Sequence, residues 1–181
     1  MNLILSDRIN RIQTSQTIEI SDLARNLLSK GRKVISLSQG EPDFDTPDHI
    51  KEAGIKAIKD GFTRYSNVDG MPLLKKAIIK KFLNENNLEY KLSEISVGNG
   101  CKQIIFNALM SILNPGDEVI IPAPYWGSYK DMVDFAEGIP KIVNCTLADD
   151  FKLTAKALEL AINDSTRCLI LNNPTNPTGS V

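Results

Sequence analysis

From Glu94 onward the chain alternates short apolar runs with amphipathic stretches, and this alternation restricts its fold more than any other feature. Ile95–Val97, Val119–Ile121, Lys141–Cys145 and Cys168–Leu171 read as strands. Lys102–Leu113, Gly127–Phe135 and Thr154–Ile162 read as helices. The turn Asn114-Pro-Gly-Asp117 separates the first of these helices from the second strand. Strands separated by helices of this length pair in parallel through right-handed crossovers. The expected product is an α/β chain built on a mostly parallel sheet.

Upstream, the pattern is less regular. Residues 1–16 read as a polar, irregular arm. Ile20, Leu23, Ala24, Leu27 and Leu28 recur at helical spacing within Thr17–Lys30, with Gly31 just beyond. Val34–Leu37 reads as a short strand. Helices are expected over Asp48–Asp60 and Met71–Asn86. The second should turn Leu74, Ile78, Ile79 and Phe82 inward and a lysine-rich face outward. A division near residue 45 is expected, with an arm and a small segment over 1–45 and an α/β region over 46–181.

The chain has 181 residues, 42% hydrophobic and 24% charged, and a net charge of -1. That length suffices for one sizeable core. The charge balance gives no case for nucleic acid or an anionic membrane surface. No apolar run approaches the roughly 20 residues of a membrane-spanning helix. Cys101, Cys145 and Cys168 are odd in number and widely spaced, which fits a reduced, cytoplasmic protein and argues against zinc. His49 is the only histidine, so a multi-histidine metal site is excluded and no metal is expected. Following Pro47, it reads as a polar residue in a helix's first turn.

Three segments could carry chemistry. In Val97-Gly-Asn-Gly-Cys-Lys-Gln103 the glycines permit close backbone approach, and a helix opening near Cys101 would aim N–H groups at an anion such as phosphate. No Gly-Lys-Ser/Thr ends it, and Gln103 stands where a dinucleotide fingerprint has its third glycine. In Pro122-Ala-Pro-Tyr-Trp-Gly-Ser-Tyr129, Trp126 could stack on a flat ring. In Asn172-Asn-Pro-Thr-Asn-Pro-Thr-Gly179 the prolines restrict Asn176, whose amide both donates and accepts. Such a loop after a parallel strand is where α/β sheets bind ligands. Gly40 lies in a loop that could let a small carboxylate approach backbone N–H groups, and Tyr65 offers a phenol at another loop; either could equally be turn chemistry.

Together with Gly40-Glu-Pro-Asp-Phe-Asp-Thr-Pro47, Thr63-Arg-Tyr65, Gly100-Cys-Lys-Gln103 and Gly116-Asp-Glu-Val-Ile-Ile-Pro-Ala-Pro-Tyr-Trp126, that last segment resembles the class I aminotransferases, in family order. The likeness is greatest to the bacterial aspartate aminotransferase branch and runs from about Leu5 to Gly179. It implies the three-layer α/β architecture of fold type I, pyridoxal 5′-phosphate, and amino transfer between an amino acid and a 2-oxo acid. By matched position, the N–H groups of Gly100, Cys101 and Lys102 would hold the cofactor phosphate. Trp126 would stack on its pyridine ring, and Asn176 would bond its phenolic oxygen. Gly40 would meet the substrate α-carboxylate and Lys102 its distal carboxylate, with Trp126 and Asn176 bordering the substrate. Tyr65 would reach the phosphate of a neighbouring subunit, which implies a homodimer.

Two departures stand out: Cys101 where Gly or Ser is usual, and Thr14 in place of Pro. The family's Schiff-base lysine lies beyond its Asn-Pro-Thr-Gly, so no catalytic residue is expected in this chain. The sequence then reads as cut midway through the large domain, and as inactive alone. The alternatives are an aromatic or prephenate aminotransferase, a carbon–sulfur lyase, or a truncated, non-catalytic phosphate-binding or dimerising protein.

Overall fold

A computed structural model describes residues 4–12, 14 and 16–181. The chain divides into two compact units. One holds the described residues up to Val34 together with Ile105–Val181; the other is Ile35–Ile104.

In the first unit three strands, β1 (Glu118–Ala123), β2 (Ile139–Asn144) and β3 (Thr166–Leu169), form a parallel sheet in the order β2-β1-β3. β1 runs in unbroken register with β2, from Glu118 opposite Ile139 to Ala123 opposite Asn144. Against β3 it slips between Glu118, opposite Thr166, and Val119, opposite Cys168. Val119, Ile120 and Ile121 are completely buried. A central parallel strand is covered on both faces, so its apolar residues run consecutively rather than alternating.

Two helices of this unit meet the sheet. Helix α6 (Ser128–Phe135) follows β1 and supplies Tyr129, Met132 and Val133 to the core. Helix α7 (Ala155–Ala161) packs on β2 and is capped by Thr154, whose hydroxyl accepts from Ala157 N–H at 3.1 Å. Leu109, on α5 (Gly100–Ile112), completes the cluster. The boundary between the units falls within α5.

Residues 1–16 are more ordered than an irregular arm where they are described. Asp7–Asn10 forms α1, and Arg8 and Arg11 reach Glu137 at 4.0 and 3.5 Å. Leu3, Gln13 and Ser15 lie outside the described residues. Helix α2 (Gln16–Ser29) occupies the expected stretch.

Ile35–Ile104 contains α3 (Asp48–Lys59) and α4 (Pro72–Asn86). Proline opens α4 at a position where its missing N–H costs nothing, and Asn87 ends it in the left-handed region at φ 55°. The ring of Phe82 meets Tyr90 edge-on at 5.4 Å.

Three expectations fail here. Val34–Leu37 forms no strand: Ile35 and Leu37 are 89% and 92% exposed, and no described segment pairs with them. Ile95–Val97 also forms no strand. It follows a 3-10 turn at Leu92–Glu94, and its backbone bonds, Ile95 N–H to Leu92 O at 3.4 Å and Val97 N–H to Asp69 O at 3.0 Å, belong to turns and loops rather than to a ladder. Lys75, expected on an outward face, is 4% exposed and ion-paired with Asp69. Burying an ammonium is tolerable only with such a partner. The same bond holds the Asp69 carboxyl below its ordinary range.

Candidate functional site

The carboxyl ends of β1 and β3 both lead into proline-rich loops. After β1, Pro124 and Tyr125 precede Trp126, and Trp126 O accepts from Tyr129 N–H at 2.9 Å. The Trp126 ring stands edge-on to Tyr129 at 5.3 Å and 88°. Tyr129 is buried, so the indole rests on a fixed wall and stays partly exposed. The Ala123–Pro124, Asn173–Pro174 and Asn176–Pro177 bonds are cis.

The loop after β3 is closed by its own side chains. Asn172 Oδ1 accepts from Asn176 N–H at 2.9 Å, and the Thr175 hydroxyl donates to Asn172 O at 3.0 Å. Thr175 N–H bonds Ser180 O at 2.9 Å, and Gly179, at φ 75°, donates its N–H to Thr175 O at 2.7 Å. A cavity of about 180 Å³ opens between the two strand ends, lined in part by Pro124, Tyr125, Tyr129, Phe151, Lys152 and Asn176. Asn176 thus lines a concave, largely apolar space at the sheet's carboxyl edge, the usual ligand position in α/β sheets. Trp126 is close in sequence but is not part of that lining.

In the other unit, α5 opens at Gly100, as the strand–glycine–helix pattern predicts for its helical half. Gly100 takes φ +82°, which an L side chain rarely adopts, and donates its N–H to Gly98 O at 2.8 Å. Asn99 N–H donates to Gln103 Oε1 at 2.5 Å. The first helical turn carries no acidic residue, so nothing there opposes an anion. Cys101 and Lys102 follow on an exposed surface. Gly40 lies in an exposed loop with open space where a Cβ would stand, and Tyr65 is fully exposed.

The structure therefore brings Asn176 to the sheet-edge cavity and Gly100, Cys101 and Lys102 to one helix start. Trp126 stands on the Tyr129 wall. Gly40 and Tyr65 sit on loops of Ile35–Ile104 with no enclosure of their own. Sequence reasoning gave no role of their own to Asn172 and Gln103, which it quoted only within motifs, and did not single out Lys152. The four-residue spacing of Asn172 and Asn176 was the available sign of a side-chain-closed turn. Among the described residues, no three His, Cys, Asp or Glu side chains gather as a metal site, and no helix is long and apolar enough to cross a membrane.

The family model for aminotransferase class I and II matches residues 32–181. A probable aspartate/prephenate aminotransferase of Rickettsia felis is 56% identical over 177 residues, which is 98% of this chain and 43% of that protein. The aspartate aminotransferase of Rhizobium meliloti is 50% identical over 175 residues, 97% of this chain and 43% of the relative. The crystal structure of the aspartate aminotransferase from Rhizobium meliloti superposes with a TM-score of 0.93 at 49% identity, covering 97% of this chain and 44% of that one. The Thermus thermophilus aspartate aminotransferase with maleate also reaches 0.93, at 39% identity, with 97% and 46% covered. The chain thus spans less than half the length of the curated relatives it matches.

Proposed function

The chain belongs to the aminotransferase class I and II family, and on that premise we propose that it is part of an enzyme moving an amino group between aspartate or glutamate and a 2-oxo acid. Prephenate is a further acceptor to test, since relatives from Rickettsia felis and Cereibacter sphaeroides carry the name aspartate/prephenate aminotransferase. The observation that carries this reading is the sheet-edge cavity lined by Asn176, at the position where α/β sheets hold ligands.

The residues present suit pyridoxal 5′-phosphate. A dianionic phosphate matches a helix start with no carboxylate in its first turn. There the left-handed Gly100 shapes the turn and Cys101 and Lys102 offer N–H groups. The flat face of Trp126 suits the pyridine ring. The Asn176 amide suits the phenolic oxygen, and a donor at that atom favours its deprotonated form. When bound, the cofactor supplies an electron sink for the carbon bearing the amino group.

This chain's own residues bind and orient. Gly40 would lie against the substrate α-carboxylate, with Trp126 and Asn176 bordering it. Lys102 would pair with the distal carboxylate, where an ammonium suits a single oxygen. Tyr65, fully exposed, would reach the phosphate in a second subunit of a homodimer. Residues 1–45 would form the arm and a small-domain segment, and 46–181 the first part of the large domain. The proton-transferring lysine would come from sequence beyond the matched part. Three free cysteines support a reduced, cytoplasmic setting.

The test is direct. The protein carrying this chain, supplied with pyridoxal 5′-phosphate, aspartate and 2-oxoglutarate, should yield oxaloacetate and glutamate in equal amounts. Failure with every acidic donor and every 2-oxo acceptor, prephenate included, would overturn the reading.

A further inference from the structure

We propose that Gln103 is a positioning residue: a neutral cap that shapes the start of α5 and keeps it electrostatically open to a phosphate dianion. The inference rests on the reading of that helix start as the phosphate seat. Gln103 Oε1 accepts from Asn99 N–H at 2.5 Å. A Cβ added to Gly98 would stand 2.8 Å from that oxygen and 2.7 Å from Ile104 Cδ1, so the carboxamide occupies the space a side chain at 98 would need. Gly100 N–H is meanwhile turned onto Gly98 O at 2.8 Å. The N–H groups of Asn99 and Gly100 are thus satisfied within the loop.

The loop is also tied from behind. Val97 N–H bonds Asp69 O at 3.0 Å, and Gly70, at φ +107°, lies so close that an added Cβ would be 2.8 Å from Val97 Cβ. The turn is thereby held in one shape at the point where α5 begins. The chemical point is the absence of charge. Helix starts are commonly closed by a glutamate or glutamine reaching back to a backbone N–H. A glutamate would close this one equally well, and would gain from the positive end of the helix. It would also set a negative charge beside the incoming phosphate. A carboxamide accepts the same bond without that repulsion.

Stability and anion binding should therefore separate. The probes are pyridoxine 5′-phosphate and pyridoxine, which lack the aldehyde and form no adducts with lysines, measured by equilibrium dialysis. Inorganic phosphate serves as competitor. The unaltered chain should prefer the phosphorylated probe. Gln103→Glu should melt no lower than the parent, yet lose about tenfold or more of that preference through like-charge repulsion. Gln103→Met, which fills the space but accepts nothing, should lose about fivefold, the worth of one hydrogen bond. Neither change should alter binding of pyridoxine.

If the parent shows no preference for the phosphorylated probe, the phosphate seat itself is misassigned and this inference falls with it. If the parent shows the preference and Gln103→Glu keeps it, the seat stands and the role of Gln103 is overturned. A loss of affinity in Gln103→Glu matched by a loss of melting temperature would reduce Gln103 to a structural cap, and would equally overturn the proposal.

Discussion

Cys168 sits on β3 against the apolar cluster, and burial pushes its thiol pKa above the ordinary value. Cys145 is raised too, first by burial and then by the nearby charge of Asp149. In the unfolded chain such thiols ionise near about pH 8.5. Above that pH the folded chain holds more protons than the unfolded one. The stability linked to these thiols is therefore intact below about pH 8.5 and is lost as pH rises through the folded values. Denaturant midpoints should fall between about pH 7.5 and about pH 9.5, and replacing both thiols by alanine should flatten that slope. Exposed Cys101 should be alkylated before either of them. In the complete enzyme, Lys102→Ala should impair acidic donors more than neutral ones, by roughly 1.5–3 kcal/mol in kcat/KM, the range of a charge-assisted hydrogen bond. Equal losses for both donor classes would reject its role. The environment of Cys145 was not legible in the sequence, because burial of a side chain depends on neighbours far along the chain. Cys101 at a helix start was legible, since glycine and spacing mark that turn locally.

Among the elements, β1 is where sequence and structure agree most closely. Val119, Ile120 and Ile121 form an uninterrupted apolar run, and only a strand covered on both faces needs one. Ile121→Ala should cost about 2–5 kcal/mol in denaturant unfolding, because parallel neighbours on either side limit collapse into the void. A cost well under about 1 kcal/mol would show that the strand is not the centre of the core. Val34–Leu37 and Ile95–Val97 carry shorter apolar stretches, broken by Ser36 and Ser96, and are not strands. Pairing is a long-range property, and no described segment offers them a ladder. Lys75 resisted prediction for a related reason: its partner, Asp69, lies in the loop before α4 rather than on the helix. Gly70 stands beside that pair with an added Cβ 2.8 Å from Val97 Cβ. Gly70→Ala should destabilise by more than the roughly 1–2 kcal/mol that a left-handed alanine costs alone. Thermal melting would show it.

At the scale of the whole molecule, the α/β class was legible because alternating strands and helices leave few other solutions. The likeness to aminotransferases was legible because five short motifs stand in order. The sheet-edge cavity was not, since Phe151 and Lys152 join it from a segment with no motif. Apolar residues such as Ile18, Ile20 and Leu23 on α2 are more than half exposed. The isolated chain should therefore self-associate as its concentration rises, which sedimentation would reveal; a strict monomer at all concentrations would contradict this. The buried core is also unevenly shared. Within Ile35–Ile104 only Ile95 and Lys75 are buried, whereas the sheet unit holds the fully enclosed cluster around β1. Segments with so little enclosed surface open at small free-energy cost. The helix start at Gly100 belongs to that thinly cored part. An anion seated there would act as a missing piece of interior, closing by attraction what side chains do not close by packing. Melting would then become a titration, rising with ligand by about 2.7 kcal/mol at a hundredfold excess over Kd. The tightness of the fold around the phosphate would be set by the supply of cofactor as much as by the polypeptide.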